Sequence, residues 1–456
     1  MTRAALAIAV WLTWLASAFA LPARAEQDNL EPDTDIAGPT LAFDWPAVQI
    51  GIGSYEEGPT GLTVFRFPAR ATTVVDVRGG SPGTLNTDAL RLGYGSSFID
   101  ALVFTGGSAF GEEAIAAVMP GLKELGARSG RWDDVAFVPG AVIYDFADHR
   151  LNEIYPDARL ARAALGAVRP GVFPLGAQGA GRMAMQGWFF ACGAHSGQGA
   201  SFRQRGDLKI AAFAVVNAFG SIVDRDGRVV RCAQESNSGE KPKIADLMAQ
   251  IGNRAAPEQP PPVPSRATTL SLIMVNRQMS YAALQRLAVQ VHTSMARAIQ
   301  PFSTQDDGDT LFAVSTQELA ADSSRLSLLQ IDALAGEAMW DAVLASVPEE
   351  PTFTPPSTPL TVAADRLARL AGRYRFGPHA VIEIAVADGR LVARSEQNFF
   401  DLRAGNAAPL SAMSDTEFYS EGRYHTRIRF RLGDDGKPQS AVIDPGRWEQ
   451  RGEALP

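Results

Sequence analysis

Short apolar runs separated by Gly- and Pro-rich turns fill the first half of the chain. Ala71–Val77 (ATTVVDV) and Ala101–Thr105 (ALVFT) have the length and unbroken apolar character of buried strands. Leu208–Val216 (LKIAAFAVV) is a longer run of the same kind and leads directly into Asn217. Phe110, Ala114, Ile115, Val118 and Leu122 recur at helical spacing, which predicts a helix over Ala109–Leu125 with Ser108 as its N-cap. A regular strand–helix–strand–helix series follows: Thr268–Val275, a helix over Tyr281–Ile299 capped by Ser280, Asp309–Thr316, and a helix over about Ser324–Val347. The end of the chain reads as all-β. Val381–Ala387 and Leu391–Ser395 flank Asp388-Gly389, a hairpin signal. Tyr424, Thr426, Ile428, Phe430 and Leu432 alternate with His425, Arg427, Arg429 and Arg431, the period of a half-buried strand.

Two Pro-rich breaks, Gly252–Ala267 and Pro348–Pro359, interrupt these patterns with five prolines each, and neither helix nor central strand survives such a density. Residues 26–40 carry Glu26, Asp28, Glu31, Asp33 and Asp35 with few large apolar side chains, and read as a solvated acidic arm. Ahead of them Arg3, the apolar stretch Ala4–Leu21 and Ala23-Arg24-Ala25 have the form of a secretory leader over 1–25, cleaved at the small residues. The expected organisation is therefore a leader (1–25), an arm (26–40), a main unit (41–347) broken by a linker at 252–267, a second linker (348–359) and a small β-domain (360–456). The mature protein is expected to be periplasmic or secreted, with no stable membrane anchor.

Composition narrows the chemistry. Acidic residues outnumber basic ones by 50 to 42, so no broad positive field favours nucleic acid. The two cysteines, Cys192 and Cys232, form no CxxC, and in an oxidising compartment both a disulfide and free thiols are open to them. The five histidines form no HExxH, and His292 lies within an amphipathic pattern as a packed or surface residue rather than a ligand. No metal or cofactor is expected. Gly106-Gly107-Ser108-Ala109-Phe110-Gly111 misses the G-x-S-x-G spacing by one, and Ser238-Gly-Glu-Lys241 is an isolated S-x-x-K in a polar loop. Thr268 remains, a hydroxyl at the start of a buried strand directly after a Pro-rich segment. Threonine is common at such a position for packing alone. A chain cut before it would give one residue both a hydroxyl nucleophile and an α-amine to act as base.

Several phrases, in order, resemble the DmpA-type aminopeptidases, the L-aminopeptidase/D-esterase or β-peptidyl aminopeptidase family. They are Gly58-Pro-Thr-Gly-Leu-Thr-Val64, Asp76-Val-Arg-Gly-Gly-Ser-Pro-Gly-Thr84, Thr105-Gly-Gly-Ser-Ala-Phe-Gly111, Val216-Asn-Ala-Phe-Gly-Ser221 and Asp307-Gly-Asp-Thr-Leu-Phe-Ala-Val-Ser-Thr316. The resemblance spans about Leu41–Val347. It implies an α/β fold, a four-layer αββα sandwich shared with the ornithine acetyltransferases, and self-cleavage between Ala267 and Thr268. In the roles it implies, Thr268 is the nucleophile, Asn217 and Tyr144 serve the oxyanion, and Asp307 and Asp309 lie near the new α-amine. Family members usually carry Gly or Asn where Ala267 stands, and Ala-Thr-Asp-Ala where Met274-Val275-Asn276-Arg277 stands. The altered stretch Gln186-Gly-Trp-Phe-Phe-Ala-Cys192 fits core filling better than a pocket lining. Thr269 is a rival nucleophile.

The expected function is an exported, self-cleaving aminopeptidase or amidase acting on small peptides, amides or esters, assembled from processed chain pairs as a homo-oligomer. An acyltransferase and a non-catalytic secreted binding protein are the alternatives. The third block lies outside the usual family unit, and its Leu367–Arg375 segment resembles a small β-domain appended to some β-lactamase-like hydrolases.

Overall fold

The computed structural model describes residues 27, 29–93, 97–146, 150–232, 241–251, 267–323, 325–348 and 353–456. The leader, Glu26 and Asp28 of the arm, His149, Ser238, the break over 252–266 and residues 349–352 of the second break lie outside the described residues. Met1–Glu31 forms a unit by itself, of which Gln27 and Asn29–Glu31 are described. The remaining statements concern Pro32–Pro456.

Among the described residues, nine strands form one mixed sheet: β1 (Gln49–Tyr55), β2 (Thr60–Val77), β3 (Thr84–Leu85), β4 (Phe98–Thr105), β5 (Gly140–Val142), β6 (Gln198–Arg205), β7 (Leu208–Asn217), β8 (Thr268–Arg277) and β9 (Thr310–Leu319). Their order is β6-β7-β8-β9-β2-β4-β5-β3, with β1 on β2. The long strand β2 ties the sheet together. Its first part pairs with β1 and β4, and Thr72–Val77 pairs with β9. Strands β8 and β9 are parallel, and β7 runs antiparallel to β8 with Asn217 opposite Thr268.

The unbroken apolar runs are explained by burial on both faces. Ile273, Val275, Leu311 and Ala313 enter one core with Leu284, Leu287 and Val291 of α3 (Tyr281–Ser294) and Ile331, Ala335 and Met339 of α4 (Leu328–Ala345). The alternate residues Leu272, Met274, Phe312 and Val314 enter a second core with Phe65, Phe104, Phe173 and Phe213. Phe213 lies 5.2 Å from Phe65 and 5.0 Å from Phe173. Helices α1 (Glu112–Glu124) and α2 (Ala158–Gly166) pack on each other, α1 also on β4 and β5 and α2 on β1 and β2.

Ser280 caps α3 by accepting from the Ala283 N–H, as its sequence position predicts. Ser108 does not cap α1. It lies at φ 51° within the 3₁₀ turn Ser108–Gly111, and α1 starts only at Glu112. The Gly106-Gly107 pair makes this possible, because the chain folds back so tightly that a methyl on Gly111 would lie 2.0 Å from the Gly106 carbonyl. His292 is fully buried on α3, with Nδ1 2.9 Å from Asp76 Oδ2. Burial holds its pKa below the ordinary histidine value, so it is a packed, neutral core residue.

The last block is a closed barrel of eight antiparallel strands: β10 (Gly372–Gly377), β11 (Ala380–Ala387), β12 (Arg390–Ser395), β13 (Ala408–Ala412), β14 (Glu417–Ser420), β15 (Arg427–Leu432), β16 (Pro438–Ile443) and β17 (Gln450–Ala454). Closure leaves the sheet no free edge. The hairpin at Asp388-Gly389 has positive φ at both residues, the backbone its turn type demands. Ile428 and Phe430 point into the barrel, and Arg429 and Arg431 face outward to pair with Glu417 and Glu449. The outward arginines are thus locally neutralised.

Candidate active site

The turn after β2, the segment before β9 and the end of β7 meet around the start of β8, at Thr268. The turn after β2 wraps the segment before β9 through backbone hydrogen bonds: Arg78 and Gly79 N–H donate to the Asp309 carbonyl, Gly80 N–H to Thr304, and Ser81 N–H to Asp307. Such an approach is closed to a side chain. A methyl on Gly79 would lie 2.2 Å from the Asp309 nitrogen and 2.3 Å from the Asp307 carbonyl oxygen. The glycines of Arg78-Gly-Gly-Ser81 therefore mould one wall of the site.

Thr268 is 4% exposed and opens β8. Its Oγ1 donates to the carbonyl of Ala267 at 2.6 Å, and the N–H of Gly308 donates to the same oxygen at 2.7 Å. The peptide bond ahead of the hydroxyl thus has its oxygen fixed by a backbone donor while the hydroxyl lies against it. A methyl on Gly308 would come 2.6 Å from Thr268 Oγ1. Sequence reasoning passed over Gly308, although it sits inside the Asp307-Gly-Asp309 phrase, because what it supplies is a backbone N–H and the absence of a Cβ.

Asp307 and Asp309 are each 1% exposed. Asp309 Oδ1 accepts from the Thr269 N–H at 2.6 Å, and its Oδ2 from the Ser303 N–H at 2.9 Å. Asp307 accepts from the Thr304 N–H and hydroxyl and from the Phe219 N–H. Burial pushes the Asp309 carboxyl up to about 7, with the neighbouring Asp307 charge adding to the rise. Burial raises Asp307 as well. The two acids therefore form a buried pair whose protons are held more tightly than those of exposed carboxylates.

Asn217 is held at both ends of its amide. Its Oδ1 accepts from the Met185 N–H at 3.0 Å, and its Nδ2 donates to the Tyr144 carbonyl at 3.0 Å. This fixes which end of the amide is the donor, and leaves one Nδ2 hydrogen beyond the bond to Tyr144. Tyr144 meets Asn217 through its backbone, and its ring makes an edge contact with Phe146 at 5.7 Å. All five residues picked out by sequence, Thr268, Asn217, Tyr144, Asp307 and Asp309, thus border one region. Thr269 donates its N–H to Asp309, and the contacts to the Ala267 carbonyl and to Gly308 are those of Thr268.

Cys192 and Cys232 form a disulfide, with Cα atoms 4.3 Å apart. It fastens the stretch after Gln186 to the segment beyond Val229. Phe190 is buried there with Val223, Val229 and Ile244, so that ring fills a core.

Comparison with known proteins gives this arrangement a class. Residues 42–352 match the model of peptidase family S58. The chain is 43% identical over 330 residues to a 6-aminohexanoate-oligomer endohydrolase of Paenarthrobacter ureafaciens, covering 69% of this chain and 88% of that one. It is 34% identical over 275 residues to an uncharacterized aminopeptidase of Mycobacterium bovis, covering 57% of this chain and 74% of that one. A solved L-aminopeptidase D-Ala-esterase/amidase of Ochrobactrum anthropi superposes at a TM-score of 0.47 with 17% identity, over 69% of this chain and 87% of that one. The molecule is an enzyme, a hydrolase acting on amide bonds. More particularly, the chain belongs to peptidase family S58, as the resemblance of its sequence phrases implies.

Proposed function

We propose that the chain cuts itself between Ala267 and Thr268 and that the freed Thr268 is the nucleophile of an exported amidase or aminopeptidase. The observation that carries this reading is the double hold on the Ala267 carbonyl, by Thr268 Oγ1 at 2.6 Å and by the Gly308 N–H at 2.7 Å. In maturation Oγ attacks the Ala267 carbonyl carbon, and the oxygen takes up negative charge against the Gly308 N–H. The C–N bond then breaks, the Oγ proton passing to the departing nitrogen, and water hydrolyses the resulting ester. Residues up to Ala267 end in a carboxylate, and Thr268 begins with an α-amine.

In turnover that amine takes the proton from Oγ, which attacks the substrate carbonyl. Asn217 Nδ2, assisted by the Tyr144 hydroxyl, stabilises the oxyanion. The α-ammonium then protonates the leaving amine, and water resolves the acyl-enzyme. Asp309 and Asp307 set the charge around the α-amine. The two helix pairs and the folded sheet act as a four-layer αββα sandwich that holds β7, β8 and β9 in register beneath the site. The processed pairs associate further into a homo-oligomer, after the leader 1–25 has directed export.

Release of an N-terminal residue from short peptides or amides is the first reading. The identity to an endohydrolase of 6-aminohexanoate oligomers supports a second, in which internal amide bonds of linear ω-amino-acid chains are cut. Matched oligomers with free and acetylated amino ends separate the two. The first reading expects cleavage of the free-ended chain one unit at a time and none of the acetylated chain, whereas equal cleavage of both supports the second. Failure of Thr268→Ala to block splitting and turnover would contradict both.

A further inference from the structure

The barrel lies outside the residues that match the family, yet it grips the segments that hold Asn217. Met185, whose N–H orients the Asn217 amide, is 1% exposed, and its side chain belongs to the cluster that fills the barrel, with Phe399, Phe400 and Phe376. Tyr144, the other partner of Asn217, is tied in from the opposite side. Next to it Asp145 makes a fully buried ion pair with Arg150, Oδ1 to Nη1 at 3.1 Å. The following residue, Leu151, shares the barrel cluster and donates its N–H to Oε1 of Gln450 at 2.7 Å. Gln450 opens β17 and is 2% exposed. Trp448, just before it, stacks flat on His195 at 4.2 Å. The barrel interior is occupied by its own side chains, Tyr374 lying 5.4 Å and Phe418 5.9 Å from Phe430.

We infer that the barrel is a positioning domain for the oxyanion donor: through Gln450 and the seat of Met185 it holds both segments that fix the Asn217 amide. This rests on the reading of Asn217 as that donor. Both are positioning residues, buried and acting through other groups. Met185 donates its own N–H to Asn217, and Gln450 anchors Leu151 beside the Arg150 that pairs with Asp145 next to Tyr144; a small displacement of such a support costs rate rather than binding.

The test uses the full-length chain with Gln450→Met, which keeps the length but removes the acceptor, and Gln450→Glu, which restores one. Met185→Ala and Met185→Leu make the same comparison outside the barrel, should the Gln450 variants fold poorly. Turnover is measured with deuterium uptake over residues 150–154 and 183–187. The expected result for Gln450→Met and Met185→Ala is a loss in kcat of about tenfold or more with KM within about twofold. Faster exchange accompanies it, over 150–154 for Gln450→Met and over 183–187 for Met185→Ala, and Gln450→Glu and Met185→Leu recover most of both. Unchanged kcat, a rise in KM alone, or exchange equal to wild type at the segment each variant supports would overturn the inference. If the wild-type chain itself neither splits nor turns over, the functional reading fails, and the uptake comparison alone decides whether the barrel holds these segments.

Discussion

At the scale of single residues the site depends on a backbone donor and on an empty position as much as on side chains. Gly308→Ala places a methyl 2.6 Å from Thr268 Oγ1 and 2.8 Å from the Ser81 carbonyl, both in packed surroundings. It should slow self-cleavage by roughly 10²-fold, read as persistence of the intact chain on a denaturing gel. Asn217→Ala removes the side-chain donor and should lower kcat by about 10²–10³-fold in material that has already been cleaved. The buried acids give a pH signature. Asp309 has its pKa raised from 3.8 to about 7, so the folded chain holds a proton that the unfolded chain has released. The associated stability is complete below about pH 4 and is lost as pH rises through about 7. In the uncut Thr268→Ala protein, calorimetry should show Tm falling between pH 4 and pH 8, with a smaller fall after Asp309→Asn. An equal slope in both would place the titrating group elsewhere.

At the scale of elements, the strands that build the site were the readable ones. β7, β8 and β9 are apolar on both faces, and that pattern survives in the sequence as unbroken runs because helices cover one side and an aromatic core the other. Residue type and family phrasing then brought Thr268, Asn217, Tyr144, Asp307 and Asp309 together. Other features left less trace. β1 (QIGIGSY) contains two glycines that make room for α2, a methyl on Gly51 meeting the Ala164 carbonyl at 2.1 Å, so no apolar run announces it. Ser108 carries the chemistry of an N-cap, but the fold of Gly106–Gly111 delays the helix past it. Gly308 and Met185 act through backbone N–H groups, which residue identity does not encode. The disulfide was open in the sequence because pairing depends on distance. With 40 residues separating its ends, the loop-entropy model gives a stabilisation of about 4 kcal/mol. Cys192→Ser with Cys232→Ser should lower the unfolding free energy in urea by an amount of that order, and reduction of the wild type should do the same.

At the scale of the whole molecule, the chain joins an S58 hydrolase unit to a filled eight-stranded barrel through a shared core. Leu151 and Met185 belong to the hydrolase by sequence and to the barrel by packing, so the two parts should unfold together. Phe430→Ala, a cavity deep in the barrel, should cost about 3–5 kcal/mol and broaden its effect to the site segments, seen as faster exchange at Leu151 as well as in β15. The central claim is that catalysis begins only when an interior threonine becomes a chain end. Its most direct measurement is terminal sequencing and intact mass of the purified, active protein. The account predicts two fragments, one beginning Thr268-Thr269-Leu270 and the other ending at Ala267. Full turnover by an unbroken polypeptide, or a new terminus at any other residue, would contradict it.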